Sequence, residues 1–116
     1  MEQLALPLLG RLDGPSTAPT QLVSVIKDYR HAVRVAWRVR RIQYATQRQL
    51  AAEAELYAPH VSDYLNQDDK PTRRSLPAEC IPAFEAFVGN TVVSQWLASR
   101  AKLTVLEELQ ATKAAA

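Results

Sequence analysis

The chain has 116 residues, of which 47% are apolar, and a formal net charge of +2. This length suits one domain with its own core, and no apolar run approaches the roughly 18 residues that suggest a transmembrane helix. The amino terminus lacks the basic lead and long apolar stretch of a signal peptide. A lone cysteine, Cys80, excludes an internal disulfide. We therefore expect a cytoplasmic protein without a membrane partner, with Cys80 as a small buried residue.

Charge is distributed unevenly along the chain. Residues 27 to 48 contain seven Lys or Arg and one Asp, whereas residues 53 to 69 contain five acidic residues and no Lys or Arg. A distribution of this kind indicates a local surface that prefers an anionic partner, although the net charge is small.

The first predicted elements are an arm and a long amphipathic helix. Prolines and glycines interrupt residues 1 to 20, which predicts a flexible amino-terminal arm. A helical pattern then runs from Thr20 to Gln43. At about 100° per residue its basic side chains fall within an arc of roughly 80°, and they are Lys27, Arg30, Arg34, Arg38 and Arg41. Apolar residues, including Val25 and Val39, fill the opposite arc. The stripe is either a solvated face or part of a surface for an anionic partner.

Two short helices and a tight turn are predicted next. Thr46 and Gln49 have capping-box spacing, which starts a helix at Gln47 that runs to about Glu55. Pro59 suits the first turn of a third helix that ends near Asn66. The predicted inward residues are Leu50, Ala51, Ala54, Leu56, Val61 and Tyr64, and the predicted outward residues are Gln47, Tyr57, Ser62, Asp63 and Asn66. This pattern is typical of a helix-turn-helix.

The remainder is also predicted to be helical, which gives an all-α domain of about five helices over residues 21 to 112 and a frayed tail over 113 to 116. Residues 76 to 88 are apolar at helical spacing, with a kink or fresh start at Pro82. Gly89-Asn90 stops that helix, and Thr91 can cap a last helix from Val92. A break is expected near residues 101 to 103. The candidate dimerisation residues of the last helix are Trp96, Leu103, Leu106 and Leu109.

The window TQRQLAAEAELYAPHVSDYLN resembles the lambda-repressor-like family of regulators, the Cro/repressor or Xre-like type. The matching residues are Gln47, Leu50-Ala51, Leu56, Val61 and Tyr64-Leu65. The phrases DYRHAVRVAWRVRR and FVGNTVVSQWLASRA are similar to regulators carried by phages and prophages. One position departs from the family: Glu55 stands where the turn usually has glycine. Either the turn is wider here, or Glu55 adopts a strained positive φ.

The resemblance implies roles for individual residues. Gln47 would contact a DNA phosphate, and the groove-facing residues would be Tyr57, Ala58, Pro59, Ser62, Asp63 and Asn66. Chemically, Asn66 can pair with adenine and Asp63 can accept from cytosine N4. Arg48, Arg73 and Arg74 could clamp the DNA backbone. In the family the carboxyl end of the preceding helix approaches DNA, which adds Arg40 and Arg41 as phosphate contacts.

No sequence feature favours an enzyme, a cofactor, a metal site or a small-molecule ligand, since phosphate loops, nucleophile elbows and metal-ligand sets are missing from the sequence. We expect a sequence-specific regulator that binds double-stranded DNA as a homodimer, a repressor of phage or prophage type. The alternative is a protein-interaction module on the same helical fold that acts on host or phage machinery. The acidic residues around the predicted reading helix favour this second hypothesis.

Overall fold

The structure, a computed structural model, describes residues 14 to 101 and 110 to 112. The named elements in this range are all helical: α1 (Thr20–Ser24), α2 (Tyr29–Arg38), α3 (Gln47–Glu53), α4 (Ala58–Leu65), a 3-10 turn (Ala78–Cys80), α5 (Ile81–Val88) and α6 (Val92–Ala101). Extended pairing among the described residues is limited to one isolated bridge between Ser16 and Asn90. The all-α prediction is therefore confirmed. Within the described ranges, no helix has the length and apolar character needed to cross a membrane.

The single long helix predicted from Thr20 to Gln43 is wrong, because the chain forms α1 and α2 with a break between them. Two hydrogen bonds that both involve His31 hold the residues of this break against the first turn of α2. The backbone N–H of His31 donates to Asp28 Oδ1 (2.8 Å), and the backbone N–H of Lys27 donates to His31 Nδ1 (3.0 Å). Asp28 thus caps α2. Since the helical wheel assumed one continuous axis, it wrongly placed Val25 and Val39 inside, and they are 66% and 41% exposed.

The core lies where α2 packs against α4, α5 and α6. Its most deeply buried large side chains are Phe84, Leu50, Val33, Val61, Val88, Val92 and Val93. Trp96 is also buried, and its indole N–H donates to the carbonyl of Ile26 at 3.2 Å. The burial and the polar tip of Trp96 are therefore both accounted for within one chain. Cys80 is half-buried at the edge of this core.

The corner between α5 and α6 follows the sequence prediction except at Thr91. The Thr91 hydroxyl is directed to Ser16 O and Gln95 Oε1, so it does not cap α6 as predicted. The 3-10 turn ends at Cys80, and α5 restarts with Pro82 in its first turn. Gly89 ends α5 with φ +80°, and a Cβ there would lie 2.8 Å from the side chain of Arg41. The buried carboxylate of Glu85 accepts from the backbone N–H of Ser94 (2.8 Å) and from its hydroxyl (2.7 Å). It therefore places negative charge at the amino end of α6, where the helix dipole favours it.

Part of the predicted amino-terminal arm packs against this corner. The backbone N–H of Ser16 donates to Gly89 O (3.0 Å), and Thr91 N donates to Ser16 O (2.9 Å). Ala18 is buried and exchanges two hydrogen bonds with the side-chain amide of Gln95. Residues 14 to 19 are thus held on the domain. Residues 1 to 13, the predicted tail over 113 to 116 and the candidate dimer residues Leu103, Leu106 and Leu109 lie outside the described residues.

Candidate nucleic-acid interface

Helix α3 begins at a capping box, as the sequence predicted. The backbone N–H of Gln49 donates to Thr46 Oγ1 (3.2 Å), and the backbone N–H of Thr46 donates to Gln49 Oε1 (2.8 Å). Two backbone donors that the helix leaves unpaired are satisfied in this way. The start of α3, and with it the side chains of Gln47 and Arg48 in the first turn, is fixed by a purely local signal.

The turn between α3 and α4 is tight, and Glu55 accepts the strain. Its φ is +56°, the left-handed conformation that glycine usually supplies. The backbone N–H of Leu56 donates to Ala51 O at 2.9 Å, which is the long hydrogen bond of a Schellman helix ending. A residue with a Cβ in this conformation costs about 1–2 kcal/mol. The exposed side chain of Glu55 and the buried side chain of Leu56 are compatible with that geometry.

The α3–α4 pair buries the side chains that the pattern placed inside. Leu50, Ala51, Ala54, Leu56, Val61 and Tyr64 are each at most 9% exposed. Helix α4 packs against both α2 and α3 through this side. The opposite side of α4 is left without contacts from another described helix.

We call the exposed predicted residues on this side of α4 and in the first turn of α3 the open face: Gln47, Arg48, Tyr57, Ala58, Pro59 and Ser62. Ala58, Pro59 and Ser62 fall on one side of α4 at about 100° per residue. Tyr57 is 64% exposed, and its ring meets His60 edge-on at 4.5 Å. Arg48 has no hydrogen bond or ion pair to any other described residue. Six of the predicted site residues are thus exposed, two in the first turn of α3 and four on α4 or just before it.

His60 lies beside the open face in aromatic contacts, between Tyr57 and Tyr64. In the part of the chain that the structure describes, no group of three His, Cys, Asp or Glu side chains is placed to hold a metal ion. Its ring contacts link Tyr57, the residue before α4, to Tyr64 near the carboxyl end of the helix.

Three of the other predicted site residues, Asp63, Arg73 and Arg74, meet at the carboxyl end of α4, where they bind one another. Asp63 contacts both Arg73 (2.9 Å) and Arg74 (3.1 Å), and Arg73 also binds Asp68 (2.8 Å). We call these four residues the acid–arginine network. Hydrogen bonds from Arg73 hold the pKa values of Asp63 and Asp68 below their usual range, and the two carboxylates raise the pKa of Arg73. The Asp63 carboxylate is therefore ionised, its charge is balanced by two arginines, and each of its oxygens accepts a hydrogen bond.

Helix α2 fixes the same end of α4 from behind. The Arg30 guanidinium donates to the carbonyls of residues 63, 66, 68 and 74 and to Asp69 Oδ1, at 2.6–3.1 Å. Arg34 binds Asp69 Oδ1 at 3.1 Å. Hydrogen bonds from Arg30, and then from Arg34, lower the pKa of Asp69. Two members of the predicted basic stripe are therefore largely buried clamps on the chain itself.

Asn66, which was predicted to pair with adenine, also lies at the carboxyl end of α4. We call this end, where the polar groups are bound within the chain, the closed end. Its side-chain oxygen accepts from the backbone N–H of Asp68 at 3.1 Å, and its carbonyl accepts from Arg30 at 2.9 Å. The residue thus shapes the turn that follows α4. A substitution at Asn66 would change this turn as well as any contact with a base.

Arg40 and Arg41, the candidate phosphate contacts from the carboxyl end of α2, are also used internally. The Arg40 guanidinium donates to the carbonyls of Trp37, Gln43 and Ala45 and lies 4.1 Å over the Trp37 ring. The Arg41 guanidinium donates to the carbonyls of Gly14 (2.6 Å) and Gly89 (3.3 Å). These two arginines are not grouped with the open face.

Sequence reasoning missed a hollow beside α3 whose lining mixes apolar side chains with Arg41, Gln49 and Glu53. It has a volume of about 380 Å³ and is lined in part by Ile42, Tyr44, Ala86 and Phe87. Ile42 and Tyr44 are 47% and 84% exposed. The observed helix α2 ends at Arg38, so Ile42 and Tyr44 lie in the connection to α3, where no helical periodicity predicts their exposure.

Comparison with known proteins found no matching family model, no matching curated protein and no matching solved structure.

Proposed function

We propose that the protein is a sequence-specific DNA-binding regulator whose α3 and α4 form a helix-turn-helix of the lambda-repressor-like type. The observation that carries the proposal is the uncovered side of α4 beside the first turn of α3, across a tight turn with Glu55 at positive φ. In this class of protein the second helix of the pair lies in the major groove and its amino-terminal residues contact base edges. The open face supplies side chains at that end of α4.

The side chains of the open face suit both kinds of DNA contact. Arg48 and Gln47 can bind phosphate oxygens, which position the protein without reading sequence. The Ser62 hydroxyl can donate to or accept from a base edge, and the Tyr57 ring can contact a thymine methyl group. Because Asp63 is neutralised by Arg73 and Arg74, it adds little repulsion of phosphate. Base reading is accordingly proposed for Tyr57 and Ser62 ahead of Asp63 and Asn66.

We further propose that the regulator is a homodimer of the repressor type. Two copies of α4 would then read half-sites about one DNA turn, roughly 34 Å, apart. Trp96 contributes to the core of one chain, so the dimer contact is assigned to the residues that follow α6. Sedimentation with and without the selected duplex tests this part: a monomer in both states would contradict it.

The test is selection from random duplex DNA followed by sequencing, at two salt concentrations. We expect an enriched motif, weaker binding at higher salt, and an altered motif for Ser62→Ala. Arg48→Ala should keep the motif but reduce the slope of log affinity against log salt by about one.

Arg100→Ala is the matched control for Arg48→Ala, because it removes the same charge from an exposed arginine on α6. Its salt slope should stay at the wild-type value. Failure to enrich a motif, together with failure to retain DNA at low salt, would rule out DNA binding.

The second candidate function is binding to a protein, favoured by the exposed Glu53 and Glu55 and by the exposed apolar side chains of Ile42, Tyr44 and Tyr57. An apolar interface depends little on salt, whereas DNA binding through several phosphates weakens steeply. The same two salt concentrations therefore separate the two functions.

A further inference from the structure

A second hollow lies between the end of α2 and the residues that follow α4. Its volume is about 260 Å³, and its polar lining consists of Arg34, Arg38, Arg40, Gln43 and Gln67. We call it the arginine hollow. No acidic residue is part of its lining. It is separate from the open face, and none of the roles described above uses Arg38 or Gln67.

The positive charge of the arginine hollow is only partly compensated. Arg34 shares the Asp69 carboxylate with Arg30, at 3.1 Å from each guanidinium. Arg40 is held by three backbone carbonyls, which satisfy its donors without removing its formal charge. Arg38 is exposed and makes no side-chain hydrogen bond or ion pair with the described part of the chain. An anion in the hollow would meet this excess of positive charge.

The hydrogen-bond donors that remain are suited to a tetrahedral oxyanion. Arg38 offers its whole guanidinium, a planar fork of five N–H groups that matches phosphate geometry. Arg34 uses one terminal nitrogen for Asp69 and for the Asn66 carbonyl, which leaves its other nitrogens free of described partners. Gln67 adds an exposed amide. Arg40 and Gln43 keep the wall in place through their own hydrogen bonds to the chain.

The hollow suits a small anion better than a large ligand. At about 260 Å³ it has room for a phosphate group. It is smaller than the roughly 300–1,000 Å³ of pockets for drug-sized ligands. In addition, the Arg40 guanidinium already lies over the Trp37 ring, so that surface is not open for a base to stack on.

We propose that the arginine hollow is a phosphate-binding site in which Arg38 and Arg34 donate to the phosphate oxygens and Gln67 completes the contact. The phosphate is either a backbone phosphate of a nucleic acid or a free phosphate compound. The proposal does not depend on DNA reading by α4.

The experiment is an NMR titration of the full chain that follows backbone amides and arginine side-chain N–H signals. Sodium phosphate is the probe, with sodium chloride at matched ionic strength and pH. We expect saturable shifts at Arg34, Arg38 and Gln67 with phosphate only. Arg38→Gln should weaken phosphate binding about tenfold, the size expected for one charged hydrogen-bond partner. Because the Arg38 side chain is exposed and unpartnered, this variant should keep its fold.

Arg100→Gln is the matched control, since it removes one exposed guanidinium from α6, away from the hollow. It should leave phosphate affinity within about twofold of wild type. Equal shifts with chloride, shifts that do not saturate, or equal weakening by Arg38→Gln and Arg100→Gln would each overturn the proposal.

A parallel titration with a short DNA duplex distinguishes the two sources of phosphate. If Arg38→Gln weakens duplex binding more than Arg100→Gln does, the ligand is a backbone phosphate. If both variants bind the duplex as wild type does while the phosphate shifts are lost in Arg38→Gln, the ligand is a free phosphate compound. If the wild-type protein does not bind the duplex, DNA binding by α4 is contradicted, and the result of the phosphate titration is unaffected.

Discussion

The two ends of α4 differ in how far the chain itself uses their polar groups. At the amino end, Tyr57 and Pro59 are exposed, and Arg48 in the first turn of α3 is exposed and unpartnered within the described residues. At the carboxyl end, Asp63 is bound by Arg73 and Arg74, and Arg30 occupies the carbonyls around it. The carboxyl end holds more charge, yet almost all of it is paired within the fold. Charge density alone therefore does not show which charged groups the fold leaves available for a partner.

The largest expected effect is at the closed end, from Arg30→Met. Methionine keeps the apolar stem but removes five hydrogen bonds and leaves several carbonyls without a donor. We expect the free energy of unfolding to fall by about 3 kcal/mol, measured by urea denaturation. Arg38→Met on the same helix is the control and should stay within about 0.5 kcal/mol of wild type. Equal losses for both variants would mean that the hydrogen bonds of Arg30 do not stabilise the fold beyond what an exposed arginine on the same helix does.

A substitution in the turn between α3 and α4 should have a smaller effect on the free energy of unfolding, and of opposite sign. Glu55→Gly should raise the free energy of unfolding by about 1 kcal/mol, because glycine relieves the strain at φ +56°. Glu55→Ala keeps a Cβ and should give little gain, which separates relief of strain from loss of charge. Glu53→Gly, within α3, should lower stability by about 1 kcal/mol. Thermal melts of the three variants check this, and a destabilised Glu55→Gly would refute the strained turn.

At the open face itself we expect almost no effect on stability. Tyr57 is 64% exposed and has only its edge-on contact with His60. Tyr57→Ala should therefore change the free energy of unfolding by about 0.5 kcal/mol or less. Under the proposed function it should still weaken binding to the selected duplex, measured by fluorescence anisotropy. A large loss of stability would show that the open face is structural.

The smallest effect is the acid sensitivity of the closed end, because its charged groups are partly exposed and screened. Asp63, Asp68 and Asp69 have pKa values below their ordinary value of 3.8. Their contribution to stability is complete above that value and is lost as the pH falls through the lowered pKa values. We expect the urea concentration at the unfolding midpoint to decrease as the pH is lowered below about 4. In Arg73→Gln this decrease should be smaller. An unchanged slope in Arg73→Gln would contradict the network.

Local signals predicted the parts of the fold that neighbours in sequence determine. The Thr46–Gln49 capping box, the restart at Pro82 and the stop at Gly89 each act within four residues, and the structure has all three. The buried side of the α3–α4 pair was also predictable, since helical periodicity alone places it. The break before α2 was missed because the helical wheel treated Asp28 as a residue inside one continuous helix. Asp is a common N-cap residue, so Asp28 was a signal for a helix start.

The candidate site was only half predictable, because its pairing is non-local. Arg30 reaches carbonyls 33 to 44 residues away in the chain, and no spacing rule identifies such partners. The same is true of Arg41, whose carbonyl partners Gly14 and Gly89 lie 27 and 48 residues away in the chain. The open face was predictable because it depends on which side of one helix is left over.

The paired bonds between Ala18 and Gln95 have a consequence for how the domain opens. They join residues 77 apart in the chain, so they close a loop that contains nearly every described helix. Closing so long a loop costs only slightly more entropy than closing a short one, and opening it separates the first described residues from α6. The Ala18 amide should therefore exchange with deuterium only when the whole domain unfolds, as slowly as amides in the centre of α2. A position near the start of the chain would then be a kinetic reporter of global unfolding.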